Sequence, residues 1–219
     1  MSILIITIHA DPTIHPGAQE GGGSHLYINE LINLLIYRNV PALFITRKAS
    51  PGADLFEYGP VKLCRIKIGP ESQWDKKNLL GLEQEINARI EEVIATHQFR
   101  PAFIHSIYWC SGRAALTFAD NFKIPFIHTI ISNGLRKRKT GYPVSDQQIE
   151  IEQKIYEKAN ILIAISNQEK SDLEELYKIP SERIKVVGRG VDNLFLSDLY
   201  DGQGTLLSRV QPNVERNGI

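Results

Sequence analysis

Short apolar runs alternate along this chain with longer segments of helical period, and that alternation restricts the fold more than any other feature. Residues 3–8, Ile-Leu-Ile-Ile-Thr-Ile, read as a buried strand. Residues 24–38 carry Leu26, Leu31, Leu34 and Leu35 at helical spacing. Further strands are predicted over 41–46, 102–106, 125–130, 161–165 and 184–187, and helices over 111–121, 145–159 and 167–177. Ser111-Gly112 opens the first of these helices, and Ser145 is placed to N-cap the second. Residues 78–97, with Leu79, Leu82, Ile86, Ile90, Val93 and Ile94, predict one long amphipathic helix. Residues 61–68 alternate apolar and polar, which predicts a strand with one wet face. Together these elements predict an α/β fold, a parallel sheet of about seven strands with helices on both faces. Ligands of such folds lie beyond the carboxyl ends of the strands. The loops after Ile8, Ser106, Ile130, Ile165 and Val187 then share one rim.

A chain of 219 residues can bury a single sizeable core. One domain is expected over 1–195, and 196–219, without sustained periodicity, reads as a linker or C-terminal tail. Lysine plus arginine equals aspartate plus glutamate, 25 against 25, so overall charge implies neither nucleic acid nor an anionic membrane as partner. The first residues lack a basic stretch, and the apolar run is too short for a signal peptide or a membrane span. Cys64 and Cys110 sit far apart in apolar segments and read as small core residues in a reducing compartment. A cytoplasmic location is expected.

Four features converge on the predicted rim. Gly21-Gly22-Gly23 precedes the first helix; glycines there expose backbone N–H groups at the positive end of a helix dipole, which suits a phosphate. The same residues also fit a flexible loop or cap. The segment from His105 through Tyr108 and Trp109 to Gly112 leaves a strand through aromatics. The segment from His128 to Gly134 leaves another through polar residues, and Arg136-Lys137-Arg138-Lys139 follows directly. Amide donors, aromatic faces and basic side chains fit a phosphorylated or sugar-containing ligand. The bland readings stand beside this one: His105 as a hydrogen-bonded strand-end histidine, Tyr108 and Trp109 as a cap on the core, the basic run as a solvated loop.

The histidines are scattered with no short ligand spacing, so no metal site is expected. The chain has no Gly-x-Ser-x-Gly elbow and no Walker-type Gly-Lys-Ser/Thr. Its first loop also lacks the Gly-x-Gly-x-x-Gly fingerprint, which disfavours a plain dinucleotide enzyme.

The order of these pieces resembles the N-terminal domain of family 4 glycosyltransferases, one half of the two-domain GT-B fold, with sucrose-phosphate synthase- and sucrose synthase-like members nearest. The resemblance rests on Gly21-Gly22-Gly23; Pro101 to His105 with Tyr108-Trp109 and Ser111-Gly112; Ile124 to Thr129; and Gly134-Leu135-Arg136-Lys137. It continues through Glu152, Ala159 to Ser166, Glu169, Ile179-Pro180, Arg183-Ile184 and Gly190-Val191-Asp192. It implies transfer of a sugar from a nucleotide-sugar to a sugar or sugar-phosphate acceptor with retention of configuration. The nucleotide-sugar is a co-substrate, and no cofactor is implied. On this resemblance Gly21, Gly22 and Gly23 face the donor diphosphate. His25, His105, Tyr108, Trp109, His128, Asn133, Lys137 and Arg138 lie on the acceptor side. The family's C-terminal domain holds the nucleotide and supplies a basic pair and a glutamate.

Two departures qualify the resemblance. The chain ends soon after Gly190-Val191-Asp192, where such enzymes cross into the donor-binding domain, so that domain is expected from a longer frame or a partner chain. The family pattern His-Thr-Phe-His is here His128-Thr129-Ile130-Ile131, so Ile131 occupies the position of the second histidine, which the family places beside the reacting sugar. Isoleucine neither donates a hydrogen bond nor carries charge. No catalytic residue can therefore be assigned, and the chain alone is expected to be inactive. The rival readings are a non-catalytic sugar- or phosphate-binding or regulatory protein that kept the fold, and a small stand-alone enzyme acting on phosphorylated sugars.

Overall fold

The structure is a computed structural model that describes residues 1–14, 22–72 and 76–189. The chain divides into units 1–188 and 189–219, and the first holds nearly all the described residues. The expected boundary at 195, the tail over 196–219, Gly21 and the Gly190-Val191-Asp192 segment lie outside the described residues.

In chain order the elements are β1 (Ile3–Ile6), α1 (Gly23–Tyr37), β2 (Ala42–Arg47), β3 (Leu55–Tyr58), β4 (Val61–Ile66), a 3-10 helix (Lys76–Gly81), α2 (Glu83–Thr96), β5 (Phe103–Ile107), α3 (Trp109–Phe122), β6 (Phe126–Thr129), α4 (Gly134–Lys139), α5 (Asp146–Lys158), β7 (Ile161–Ala164), α6 (Asn167–Leu176), a short 3-10 turn (Ser181–Arg183) and β8 (Ile184–Val186). The strands form one eight-stranded sheet in the order β3-β4-β2-β1-β5-β6-β7-β8. Every pairing is parallel except that of β3 with β4. β1 lies at the centre, with Ile5 registered between Phe44 and His105.

Parallel strands covered on both faces read as continuous apolar runs, which is why β1 and β2 are buried at every position. One cluster packs Ile28, Ile32 and Leu35 of α1 on Ile3, Ile5 and Phe44. Full burial of such a side chain contributes about 1.5–3 kcal/mol. The opposite cluster joins Ile86 and Ile90 of α2, Phe118 of α3 and Ile155 of α5 to Leu4, Ile6, Ile104 and Leu162 of the sheet. From β1 the order runs outward through β2 on one side and through β5 on the other, so the strand order reverses between β1 and β5. Their carboxyl ends form the topological switch point, where this class of sheet opens a crevice for ligand.

Four sequence expectations are corrected. The 61–68 segment has no wet face: β4 lies between β2 and β3, and only Lys62 of its six residues is not buried. The 78–97 helix is two pieces, because Leu82 (φ −110°, ψ 21°) breaks the helical path between the 3-10 helix and α2. α3 opens at Trp109 rather than at Ser111-Gly112. The basic run is not a loop but the helix α4. The strand β3, at the sheet edge, is only four residues long, too short a signal to be expected.

Candidate functional site

The chain leaves β1 through Thr7, Ile8 and His9, and leaves β5 through Tyr108 into α3. A hydrogen bond from the Ile8 amide to Ser111 Oγ (2.9 Å) ties the two exits together. Tyr108 takes φ 70°, ψ 155°, a conformation that costs a non-glycine residue about 1–3 kcal/mol. Its carbonyl accepts from the Ser111 and Gly112 amides, and its own amide donates to the Thr129 carbonyl. The tight turn from β5 into α3 holds this strain and puts the Tyr108 ring at the switch point. The ring stands 5.0 Å from that of His9 and 5.9 Å from that of Trp109, centroid to centroid. Burial, first, pushes the Tyr108 hydroxyl up to about 12, so it stays a neutral donor and acceptor at physiological pH.

The rest of the β1 exit is pinned from below. Asp11 accepts from the Ala49 amide (3.1 Å) and the Thr13 amide and hydroxyl, and pairs with Arg65 through Nε (2.9 Å) and Nη2 (2.8 Å). Arg65 also donates to the carbonyls of Ala53 (2.7 Å) and Ser50 (2.6 Å). Both charges of this pair are fully buried and fully hydrogen-bonded, the condition under which such a pair holds rather than weakens a fold. Beyond it, α1 starts at the exposed Gly22 and Gly23. Among the described residues no side chain caps that end and no acid lies in its first turn, an arrangement that suits an anion at the positive end of the dipole.

α4 brings the third component. Asn133 N-caps it by accepting from the Arg136 amide (2.8 Å). Arg136 pairs with Asp172 of α6 (3.4 Å), and Arg138 pairs with Asp146 (2.9 Å) and donates to the Val144 carbonyl (2.6 Å). Lys137 instead lies with its Nζ 5.7 Å from the centre of the Tyr108 ring, within cation–π range. The basic run thus divides: Lys137 belongs to the switch point, and Arg138 is turned away from it.

The histidines separate in the same manner. His105 accepts or donates at Nε2 with the Thr129 hydroxyl (2.7 Å) and is 8% exposed. Burial drives its ring down to about 4. His128 is wholly buried on the other face of the sheet, with Nδ1 2.7 Å from Ser106 Oγ and its ring 5.7 Å from that of Tyr156. Burial, and secondarily the charge of His105, lowers it to about 3. His128 is therefore a core residue, not a rim residue: alternation along β6 points it at α3 and α5. His25 is buried in the first turn of α1. Ile131, half-buried just past β6, packs against both apolar clusters. Among the described residues no three His, Cys, Asp or Glu side chains gather to hold a metal.

The structure brings Lys137 to the Tyr108 ring, while Trp109, beside that ring, is 3% exposed and belongs to the larger apolar cluster; Gly22 and Gly23 open the helix that follows β1. His128 and Arg138 lie apart from that group. Sequence reasoning missed His9, whose signal was its place directly after the β1 run at the carboxyl end. It also missed Asp11 and Arg65; a charge inside an apolar strand, as Arg65 is, was the available sign of a buried pair.

A family model described as glycosyl transferase 4-like domain matches residues 22–190. The chain is 28% identical over 200 residues to the D-inositol 3-phosphate glycosyltransferase of Pseudarthrobacter chlorophenolicus, covering 87% of this chain and 47% of that protein. It is 27% identical over 198 residues to the protein of the same name from Corynebacterium diphtheriae, covering 88% and 46%. Among solved structures, the sucrose-phosphate synthase of Thermosynechococcus elongatus superposes with a TM-score of 0.78 at 23% identity, over 87% of this chain and 48% of that one. The likeness to that structure is one of fold. The chain spans about half the length of the curated relatives it matches.

Proposed function

The chain belongs to the glycosyl transferase 4-like domain family, and we propose that this domain forms the acceptor side of a sugar-transfer site, holding a sugar phosphate at the crevice between β1 and β5. The observation that carries the reading is Lys137, delivered by α4 over the Tyr108 ring at the switch point. An ammonium over the face of a phenol that stays neutral suits a phosphate ester, which needs charge and donors together. The relatives named for D-inositol 3-phosphate support an acceptor of that chemistry. The uncapped start of α1 at Gly22 and Gly23 is suited to the diphosphate of a nucleotide-sugar. The nucleotide itself would be held by a second domain or a partner chain. His9, His25, His105, Trp109 and Asn133 shape or support the acceptor side. Cys64 and Cys110, both buried and neither in a disulfide, accord with a cytoplasmic location. Among the described residues no helix is long and apolar enough to cross a membrane.

The test is titration of the purified chain with inositol 3-phosphate at fixed ionic strength. Lys137→Ala is expected to weaken binding by about 1–3 kcal/mol. Arg138→Ala, which removes one outer tie of α4 through Asp146 and Val144, is expected to weaken binding less than Lys137→Ala does. Equal affinity in Lys137→Ala and parent removes the reading.

A second reading is favoured by Ile131. An apolar side chain where the family resemblance expects a histidine suits a domain that binds a sugar phosphate without promoting transfer. Binding without turnover in the presence of a complete donor site separates the two.

A further inference from the structure

α4 is six residues long, too short to hold a direction by its own hydrogen bonds. What grips it therefore decides where Lys137 points. The principal grip is a single buried carboxylate on α5. Glu152 is fully buried, and its Oε2 accepts from the Gly134 amide (2.7 Å) and from the Tyr177 hydroxyl. The Tyr177 oxygen in turn accepts from the Leu135 amide (3.0 Å), so the first two amides of α4 end on one carboxylate, directly or through one phenol. Gln148 Nε2 donates to the other oxygen, Oε1 (2.9 Å). Gly134 makes the approach possible: a Cβ there would stand 2.9 Å from Glu152 Oε2 and 3.1 Å from Val144 Cγ1. The outer arms are then tied by Arg136 to Asp172 and Arg138 to Asp146, which leaves Lys137 turned to Tyr108.

We infer that Glu152 is a positioning residue for the acceptor phosphate: without exposed surface of its own, it fixes the start of α4 and thereby aims Lys137 at the Tyr108 ring. The inference rests on the reading of Lys137 as a phosphate contact, but the aiming itself has its own observable. A lysine side chain held over a phenol ring has its ε-methylene protons shifted upfield by the ring current.

The experiment measures that shift by NMR in the full chain, together with affinity for inorganic phosphate. Glu152→Leu, which keeps bulk and removes both acceptors, is expected to abolish the upfield shift. It should also lower phosphate affinity by about tenfold or more, the weight of one charged contact. Adding Lys137→Ala to Glu152→Leu should then cost nothing further, because the lysine is already misdirected. Glu152→Gln is expected to keep shift and affinity, since its carbonyl can still accept from Gly134 and Tyr177 while Gln148 reverses its amide. Should Glu152→Leu fail to fold, Tyr177→Phe, which cuts the link to Leu135, is expected to show the same losses in weaker form. A folded Glu152→Leu or Tyr177→Phe chain that merely melts earlier, with shift and affinity intact, overturns the proposal. If the parent binds no phosphate at all, the reading of the site falls, and the ring-current shift alone still decides whether Glu152 aims Lys137.

Discussion

Single residues here earn their place by what they let others approach. Gly112 is the clearest case. A Cβ at this position would stand 2.7 Å from Ile155 Cδ1 and 3.0 Å from His128 Cε1. The missing side chain lets the first turn of α3 press on β6 and α5, which sets where Tyr108 and Trp109 enter the rim. Gly112→Ala is expected to cost about 1–3 kcal/mol through overpacking, read as a lowered urea midpoint with unchanged slope. The two buried histidines make a second prediction. Burial depresses His105 to about 4 and His128 to about 3. The unfolded chain binds a proton on each near 6.5, so it holds more protons than the folded chain below that pH. Their stabilisation is complete above about pH 6.5 and is lost as pH falls toward 4, at roughly 1.4 kcal/mol per pH unit for each. Glu152, raised by burial first, contributes a slope of opposite sign, so the histidine effect is read as a difference. A chain carrying His105→Gln and His128→Gln should show a flatter dependence of stability on pH over that window. An unchanged slope in urea midpoints would falsify the assignment.

Elements are joined at the rim by polar bolts as well as by apolar packing. The exit of β1 is held to the ends of β2 and β4 by Asp11 and Arg65, and α4 is held to α5 and α6 by Glu152, Tyr177 and Asp172. The start of α6 is closed by Ser166, which accepts from the Glu169 amide (3.1 Å), while Glu169 accepts from Ile165 (2.7 Å), a near capping box readable as Ser-x-x-Glu. The Asp11 bolt is the more exposed to mutation, since removing one member strands a buried guanidinium. Asp11→Ala is expected to lose about 3–5 kcal/mol by chemical denaturation. Loss within 0.5 kcal/mol, the range of an ordinary surface substitution, would contradict the role given to the pair. This scale also separates what was legible from what was not. The seven parallel strands follow from apolar runs and five of the six helices from an apolar face at helical spacing. α4 carries no such face: four of its six residues are basic, and neighbours hold it. β3 survives by one antiparallel pairing, with Glu57 against Lys62, which no local pattern announces.

At the scale of the whole molecule, the order of motifs gave the rim, but not which side chains reach it. Alternation along a strand decides that, and one residue of register sends His128 to the core while Thr129 meets His105. Ile131 follows from the same geometry. It lies just beyond β6, half-buried, against both apolar clusters. A hydrogen-bond donor in such a closed place, aimed at charge developing in transfer, accelerates by about 10²–10³. Isoleucine supplies none of that. Two polar neighbours could compensate, but Asn133 is buried and its side-chain oxygen caps α4. Ser132, the next residue after Ile131, is the remaining candidate. Joined to the second half of a D-inositol 3-phosphate glycosyltransferase relative, the chain is therefore expected to bind both substrates and transfer sugar slowly. Ile131→His should raise the single-turnover rate by about 10²-fold or more with little change in acceptor affinity. Ser132→Ala tests the alternative in the same assembly. If the parent assembly is already fast, Ile131→His adds nothing and Ser132→Ala abolishes transfer, the polar role has moved by one residue along the same loop.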